Sequence, residues 1–490
     1  MTDSTSFWSG IQSAQGRRNA LLALIALAGL AAPFLVPYSL FILALSGISA
    51  LLLVVYAIWC VFNGCAEPIL LGWVLLFPLG YYFLSYPAEH SVVTLDRVVV
   101  ALLSIAIAFT PAKKLTPAPL ALRHAALAWG AFLVAVAVSM IGSRVTLYKV
   151  RLVIDALVLP ALLGWYVVRS FPVRSYLRVL HLLVAVMATY SAGIGVAEML
   201  LKRDLMPIGG VEQLMFTGAL VRPHGPVTTP HSFALIGMFT FCFLLFLYRA
   251  ARDAMPFWQR ILHRVGVFSA LACGFMPLLR GVLLALAMVA LVDLRRQRLF
   301  RRRLTVISVL TLALVVVPTI KVFDPASYEE RISPVNLFLR IAQSRQTLVV
   351  FLSHPLTGVG FASYDDAAAA LPADLGSFGG IGAGDSPHNI LGTVLTETGV
   401  LGLIPFVASQ IFLVIAFLRL RRLKPRDGAL VWPFLLSIFI IYWVMGMDST
   451  TFQYSDLNLS FIFAVACLYK YGLTESPTAQ ALALRETGAA

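Results

Sequence analysis

The chain has 490 residues, 60% of them hydrophobic and only 12% charged, about half the charged share of an average soluble domain. That balance excludes a large soluble domain and points to an all-α, polytopic membrane protein, since a spanning helix needs roughly 20 mainly apolar residues. The formal net charge of +14 does not indicate nucleic acid, because the basic residues fall in short clusters between apolar runs, where they set orientation in the membrane.

An N-terminal tail, residues 1–18, ends in Arg17 and Arg18 ahead of an apolar run. The run lacks a small-x-small cleavage pattern at its end and a second apolar run follows Pro37, so an uncleaved first helix is expected rather than a signal peptide. Apolar segments lie near 19–37, 39–61, 68–86, 94–110, 122–141, 151–169 and 177–199, and again near 230–249, 262–277, 280–293, 304–320, 399–420, 430–447 and 457–473. These amount to about 14 spans, or 12 to 13 if the short ninth and tenth do not cross. The chain divides into an N-terminal bundle (19–199), a core segment (200–320), a long, partly helical outer loop (321–398), C-terminal helices (399–473) and a tail (474–490).

Placing both termini inside puts most basic residues on the inner side. The inner connections then hold Lys113, Lys114 and Arg123; Arg169, Arg174 and Arg178; Arg249, Arg252, Arg260 and Arg264; the run Arg295 to Arg303; and the cluster Arg419 to Arg426. Two outer loops are long, 200–229 and 321–398, and loops of that length in a compact protein are usually functional or disordered. In the second, Pro334 to Ser353 reads as a helix with Leu337, Phe338, Ile341, Leu348 and Leu352 on one apolar side. Asp374 to Asp385 is rich in Gly and Ser, as a connector would be. No repeat of fixed period is visible, and the five cysteines, without metal-ligand spacing, read as packing residues.

Three basic residues break the charge rule. Arg222, Arg280 and Arg340 fall at or near helix ends on the outer side, where an arginine is costly unless it snorkels or finds a partner. A guanidinium fork matches phosphate oxygens, so three facing one cavity would clamp a diphosphate. The bland alternatives are a solvated loop charge for Arg222, idle snorkelling for Arg280, and a surface pair with Glu329 or Glu330 for Arg340. His388, in Ser386-Pro387-His388-Asn389, is the general-base candidate, because imidazole titrates near neutral pH; a capping or packing histidine is the alternative. Glu397 would lie on the opposite face of that helix. His224 and His231 flank the Arg222 loop and could line the site or be solvated. In His354-Pro-Leu-Thr-Gly-Val-Gly360, Gly358 and Gly360 look like turn formers, not a nucleotide fingerprint. Asp365 and Asp366 read as hydrated carboxylates, and no metal site is expected. Asp155, the one acidic residue deep in an apolar run, is expected to pair with a neighbouring helix or with Arg151.

Five ordered motifs over roughly residues 215–420 together resemble the O-antigen ligase and polymerase family: Arg222-Pro-His-Gly-Pro with Pro230 before a span, Leu279-Arg280-Gly281-Val-Leu-Leu284, Arg340 fifteen residues before Pro355, His354-Pro-Leu-Thr-Gly-Val-Gly-Phe361, and His388-Asn389 followed by Gly399-Val-Leu-Gly402. Arg280 with Leu284 matches the family's Arg-x-x-x-Leu motif, and His388 with Gly399 its His-x10-Gly motif. Leu279 stands where a serine is usual, and Ser344 where an aromatic residue is often found. The resemblance implies a GT-C-like glycosyltransferase of the bacterial inner membrane that works at the periplasmic face. It would use an undecaprenyl-diphosphate-linked glycan as donor, without metal, nucleotide sugar or other cofactor. Catalytic roles would fall to His388, Arg280 and Arg340, and substrate contacts to Arg222, His224, His231 and Asn389. The Arg222 and Pro230-His231-Ser232-Phe233 segments look closer to exopolysaccharide polymerases, so polymerisation of lipid-linked repeats ranks first. Ligation to a lipid A-core acceptor comes next, then transfer to protein. A lipid-glycan flippase is the reading from another class. Partners would be the lipid-linked donor, a glycan or lipid A-core acceptor, the bilayer, and chain-length regulator and flippase proteins, with no nucleic acid.

Overall fold

The computed structural model describes residues 55–62, 65–80, 93–110, 115–206, 215–217, 220–294, 334–371, 377–378, 381–382, 387, 389–422, 426–447 and 449–474. The first and eleventh predicted spans, most of the second, Glu329, Glu330 and His388 lie outside them, as does the side chain of Arg280. In chain order the described helices are α1 (Glu67–Leu76), α2 (Leu95–Phe109), α3 (Leu120–Ile141), α4 (Leu147–Arg169), α5 (Leu177–Leu201), α6 (Pro230–Ala251), α7 (Phe257–Phe275) and α8 (Arg280–Leu294). There follow α9 (Pro334–Ser353), α10 (Tyr364–Ala369), α11 (Ile390–Arg422), α12 (Arg426–Gly446) and α13 (Ser455–Thr474). Among the described residues six helices are long and apolar enough to cross a membrane: α3, α4, α5, α6 with its short extension to Ala254, α11 and α13. The bundle is all-α. The two long loops add two small antiparallel hairpins that sequence reading did not anticipate, β1 (Met215–Thr217) with β2 (Leu220–Arg222) and β3 (Ser377–Phe378) with β4 (Ile381–Gly382).

Local chemistry sets the helix starts. Thr94, Thr146 and Thr229 each adopt an extended conformation and accept the amide of the residue three positions on, Arg97, Lys149 and Ser232 respectively, which satisfies one of the orphan donors of a first turn. Pro230 then occupies the first helical position of α6, where its missing N–H costs nothing. Within α4 a single π turn spans Ile154–Val158, just before Pro160. Proline at 160 has no amide to give the Ala156 carbonyl, and Asn458 of α13 donates to that oxygen at 3.0 Å. Trp129 of α3 donates to the neighbouring Leu157 carbonyl at 3.2 Å. A break in one helix is thus satisfied by two others, as hydrocarbon requires.

α3 lies along α11, α5 and α6 both lie along α7, and α4 lies along α13. The α5–α6–α7 contact is close because small residues face one another: a Cβ on Gly237 would meet Cys273 Cβ at 2.7 Å, and one on Gly266 would meet Ala185 Cβ at 2.8 Å. This small-residue packing is how helices associate where apolar burial offers no net drive. Phe233, Phe239, Phe246, Phe361, Phe406 and Phe452 fill the core, while Leu127, Ile141, Phe268 and Ile404 are exposed on the perimeter, the inside-out apolar distribution of a lipid-facing surface.

Asp155 makes an ion pair, though not with Arg151. Its carboxylate is gripped by both Nε and Nη2 of Arg97 on α2, at 2.6 and 2.5 Å. Arg151 sits only one turn away on Asp155's own helix, whereas Arg97 approaches from a packed neighbour and presents its fork edge-on. Next to it, Trp73 of α1 donates to Asp96 at 2.6 Å.

The two ends of the bundle differ chemically. At one end arginines stack on aromatic rings: Arg169 on Trp165, Arg174 on Tyr471, Arg249 on Phe434 and Arg421 on Trp432. Lys470 is buried there against the Val168 carbonyl and the Thr116 hydroxyl. The opposite end collects the glycine-bearing turns, both hairpins and the buried carboxylates Glu198, Asp204, Glu397 and Asp456.

Candidate active site

At that opposite end the segment after α9 docks against the first turns of α11. The Val359 and Gly360 amides donate to the carbonyls of Thr396 and Glu397 at 2.9 and 3.1 Å, while the Val400 and Leu401 amides donate back to the carbonyls of Pro355 and Leu356 at 3.0 and 3.1 Å. Such reciprocal bonding requires α11 to break its own ladder, and it does so at Gly399, whose φ of 63° and ψ of −165° are non-helical. Backbone in that region is essentially restricted to glycine. Gly358 and Gly360 also have positive φ, 71° and 106°, so they are turn formers as their sequence suggests. A Cβ on Gly358 would strike Glu397's own backbone at 2.4 Å. The His-Pro-Leu-Thr-Gly-Val-Gly segment and the Gly399 motif, separate in sequence, are therefore halves of one joint.

Beneath the joint is a buried polar cluster that sequence reading missed. Lys149 of α4, 5% exposed, donates to Ser363 Oγ. Glu397, 2% exposed, accepts from Gln453 Nε2 at 3.2 and 3.3 Å. Ser139 at the end of α3 accepts the Phe361 amide at 3.2 Å. Tyr364 of α10 donates to Gln346 of α9 at 3.3 Å, and burial pushes its phenol above its ordinary range, so it acts as a neutral donor. α9 has the predicted bounds, and its apolar side faces outward. Phe338, Ile341, Leu348 and Leu352 are exposed, and its packed face carries Ala342, Gln343, Gln346, Thr347 and Val350.

A second cluster holds the Arg222 loop. Arg222 ends β2 and is half-buried. Two residues on, His224 is fully buried, not solvated: its Nδ1 is 2.7 Å from the Val227 carbonyl, and its Nε2 is 3.1 Å from Asp204 Oδ1 and 3.8 Å from Glu198 Oε1. Gly225, at φ 55°, donates its amide to Glu198 Oε2 at 2.8 Å, and a Cβ there would lie 2.5 Å from the Phe233 ring. The loop is thus clamped between the C-terminal turn of α5 and the first turn of α6.

The segment from Gln453 to Asp456 bridges the two clusters. Gln453 reaches Glu397, and three residues later Asp456 accepts from the amide and hydroxyl of Thr228 at 3.0 and 2.7 Å and from Ser232 Oγ at 2.9 Å. The predicted site residues distribute around this frame. Arg280 is the first residue of α8, directly after the turn closed by Leu278, whose φ is 56°; α7 brings that turn beside Gly195 of α5, where Met276 and Phe233 meet. Arg340 is exposed on α9, and His231 is half-buried on the first turn of α6. Asn389 caps α11, its side-chain oxygen accepting the Gly392 amide at 2.5 Å. Asp365 and Asp366 are exposed.

Fold and packing together define a polytopic, helical membrane protein with two buried polar clusters at one end of its bundle. The O-antigen ligase family model matches residues 265–407, from mid-α7 through the docked joint into α11. Over that segment the chain is similar to the O-antigen ligase family, the resemblance that its motifs suggest. A search of curated proteins finds no significant match.

Proposed function

We propose that the protein is an inverting glycosyltransferase that extends undecaprenyl-diphosphate-linked oligosaccharides at the periplasmic face of the inner membrane. The observation that carries this reading is the joint itself. The family match spans it, and four backbone hydrogen bonds pin the turn after His354 to the break at Gly399, ordering the start of the helix that His388 precedes.

In the proposed reaction an acceptor hydroxyl oxygen bonds to the donor's anomeric carbon as the bond from that carbon to the phosphate oxygen breaks. The diphosphate leaves with the electron pair, and His388 takes the hydroxyl proton. Arg222, Arg280 and Arg340 hold the diphosphate, whose charge grows in the transition state and is best met by preorganised cations. Removing one such donor typically costs about 10²–10³ in kcat.

The test is transfer by the purified protein supplied with a single lipid-linked repeat unit. Longer lipid-linked chains are expected, and His388→Ala should abolish them with the thermal melt unchanged. Normal ladders from that variant would remove His388 from the chemistry. A second reading, ligation to a lipid A-core acceptor, is favoured by the description of the matched family as a ligase; product formed only when core lipid is added would select it.

A further inference from the structure

The Glu198, Asp204 and His224 cluster points to a ligand of its own. One atom from each residue lies within 4.8 Å of the others, and all three side chains are buried. The Val227 carbonyl can only accept, so His224 Nδ1 carries a proton. A neutral imidazole then aims the bare Nε2 lone pair at two carboxylates, at 3.1 and 3.8 Å, an arrangement that repels unless something positive lies between them.

Two further observations favour a cation over a second proton on the ring. Neither His224 Nε2 nor Glu198 Oε1 has an aligned hydrogen-bond partner, although both residues are fully buried. The spacings also suit a shared ion: ligand atoms about 2.1 Å from a metal and subtending 90° to 130° stand roughly 3.0 to 3.8 Å apart. His224 is held from behind by Val227 O and Glu198, through Oε2, by the Gly225 amide, as outer-shell groups hold metal ligands, while the Met206 amide fixes Asp204 through Oδ1 itself at 2.9 Å.

We propose that Glu198, Asp204 and His224 bind a divalent transition-metal cation of the Zn²⁺ or Mn²⁺ type, which one imidazole and two carboxylates suit. The ion joins the end of α5 to the loop bearing Arg222. It fixes that loop and takes no part in glycosyl transfer, so the inference stands independently of the proposed reaction.

The test uses the full-length protein in detergent, stripped with EDTA and dialysed against Zn²⁺ or Mn²⁺, with metal counted by elemental analysis and thermal unfolding followed in parallel. About one equivalent per chain is expected, with the melting temperature rising by at least about 2 °C on reloading. His224→Gln and Glu198→Gln should each bind at least tenfold more weakly. Should either fail to fold, Asp204→Asn, which preserves volume, gives the same comparison. Substoichiometric metal and an unchanged melt in the wild-type protein would overturn the proposal and leave His224 as an imidazolium paired with both carboxylates.

Discussion

Replacing Gly399 by alanine tests the joint most directly. The residue's φ of 63° and ψ of −165° cost a side-chain-bearing residue about 1–3 kcal/mol. An added Cβ would also lie 2.2 Å from the Leu356 carbonyl oxygen and 2.7 Å from the Gly358 nitrogen, so the Pro355–Gly358 backbone must retreat. Retreat breaks the bonds from Val400 to Pro355 and from Leu401 to Leu356, each contributing about 0.5–1.5 kcal/mol. Together these give about 2–6 kcal/mol, and even the lower bound shifts the docked-to-open ratio roughly 30-fold. Amide hydrogen exchange reads the change at Val359 and Gly360, which donate across the joint. Both amides should exchange at least about 30 times faster in Gly399→Ala, and glycan transfer should fall with them. Wild-type protection at those two amides would refute the reasoning, because it would mean that the turn can sit on α11 without a glycine.

Asp155→Asn removes the charge that the partly buried Arg97 grips through Nε and Nη2, so the thermal melt should fall by an amount corresponding to about 3–5 kcal/mol. An Arg97→Met, Asp155→Leu double variant should recover much of it, whereas equal losses in the single and double variants would discount the pair. Asn458→Leu orphans the Ala156 carbonyl beside Pro160 and should cost about 1–3 kcal/mol, an effect that Pro160→Ala, which restores an amide to that oxygen, should partly relieve. An unchanged melt for Asn458→Leu would show that the carbonyl finds another donor.

Hydrophobic runs and charge clusters fixed the class and most described helix positions, because a bilayer imposes length and sidedness on the sequence. α9 shows where that logic inverts. Its ends were readable as Pro334 and Ser353, but the apolar stripe of Phe338, Ile341, Leu348 and Leu352 turns outward while Gln343, Gln346 and Thr347 pack inward. In water an apolar face seeks the core; beside lipid it need not, and polar groups supply the contact instead. Asp155 was recognisable as a residue needing a partner, yet choosing Arg97 over Arg151 required knowing which helices touch. Gly358 and Gly360 carried their own signal. Glu198, Asp204 and Lys149 did not, since one lies in a helix, one past its end and one in a capped first turn, with no spacing that marks them as neighbours.

The short turn leading into α13 has an implication for any attempt to transplant the ligase-like segment. Residues 265–407 hold Glu397 and Gly399, yet Lys149, Glu198, His224, Gln453 and Asp456, which brace the joint and the Arg222 loop, all come from outside. A chimera exchanging that stretch alone would inherit the proposed site residues Arg280, Arg340 and His388 without this scaffolding. Swapping Gln453 through Asp456 along with it would be the smallest graft that keeps the two halves in register.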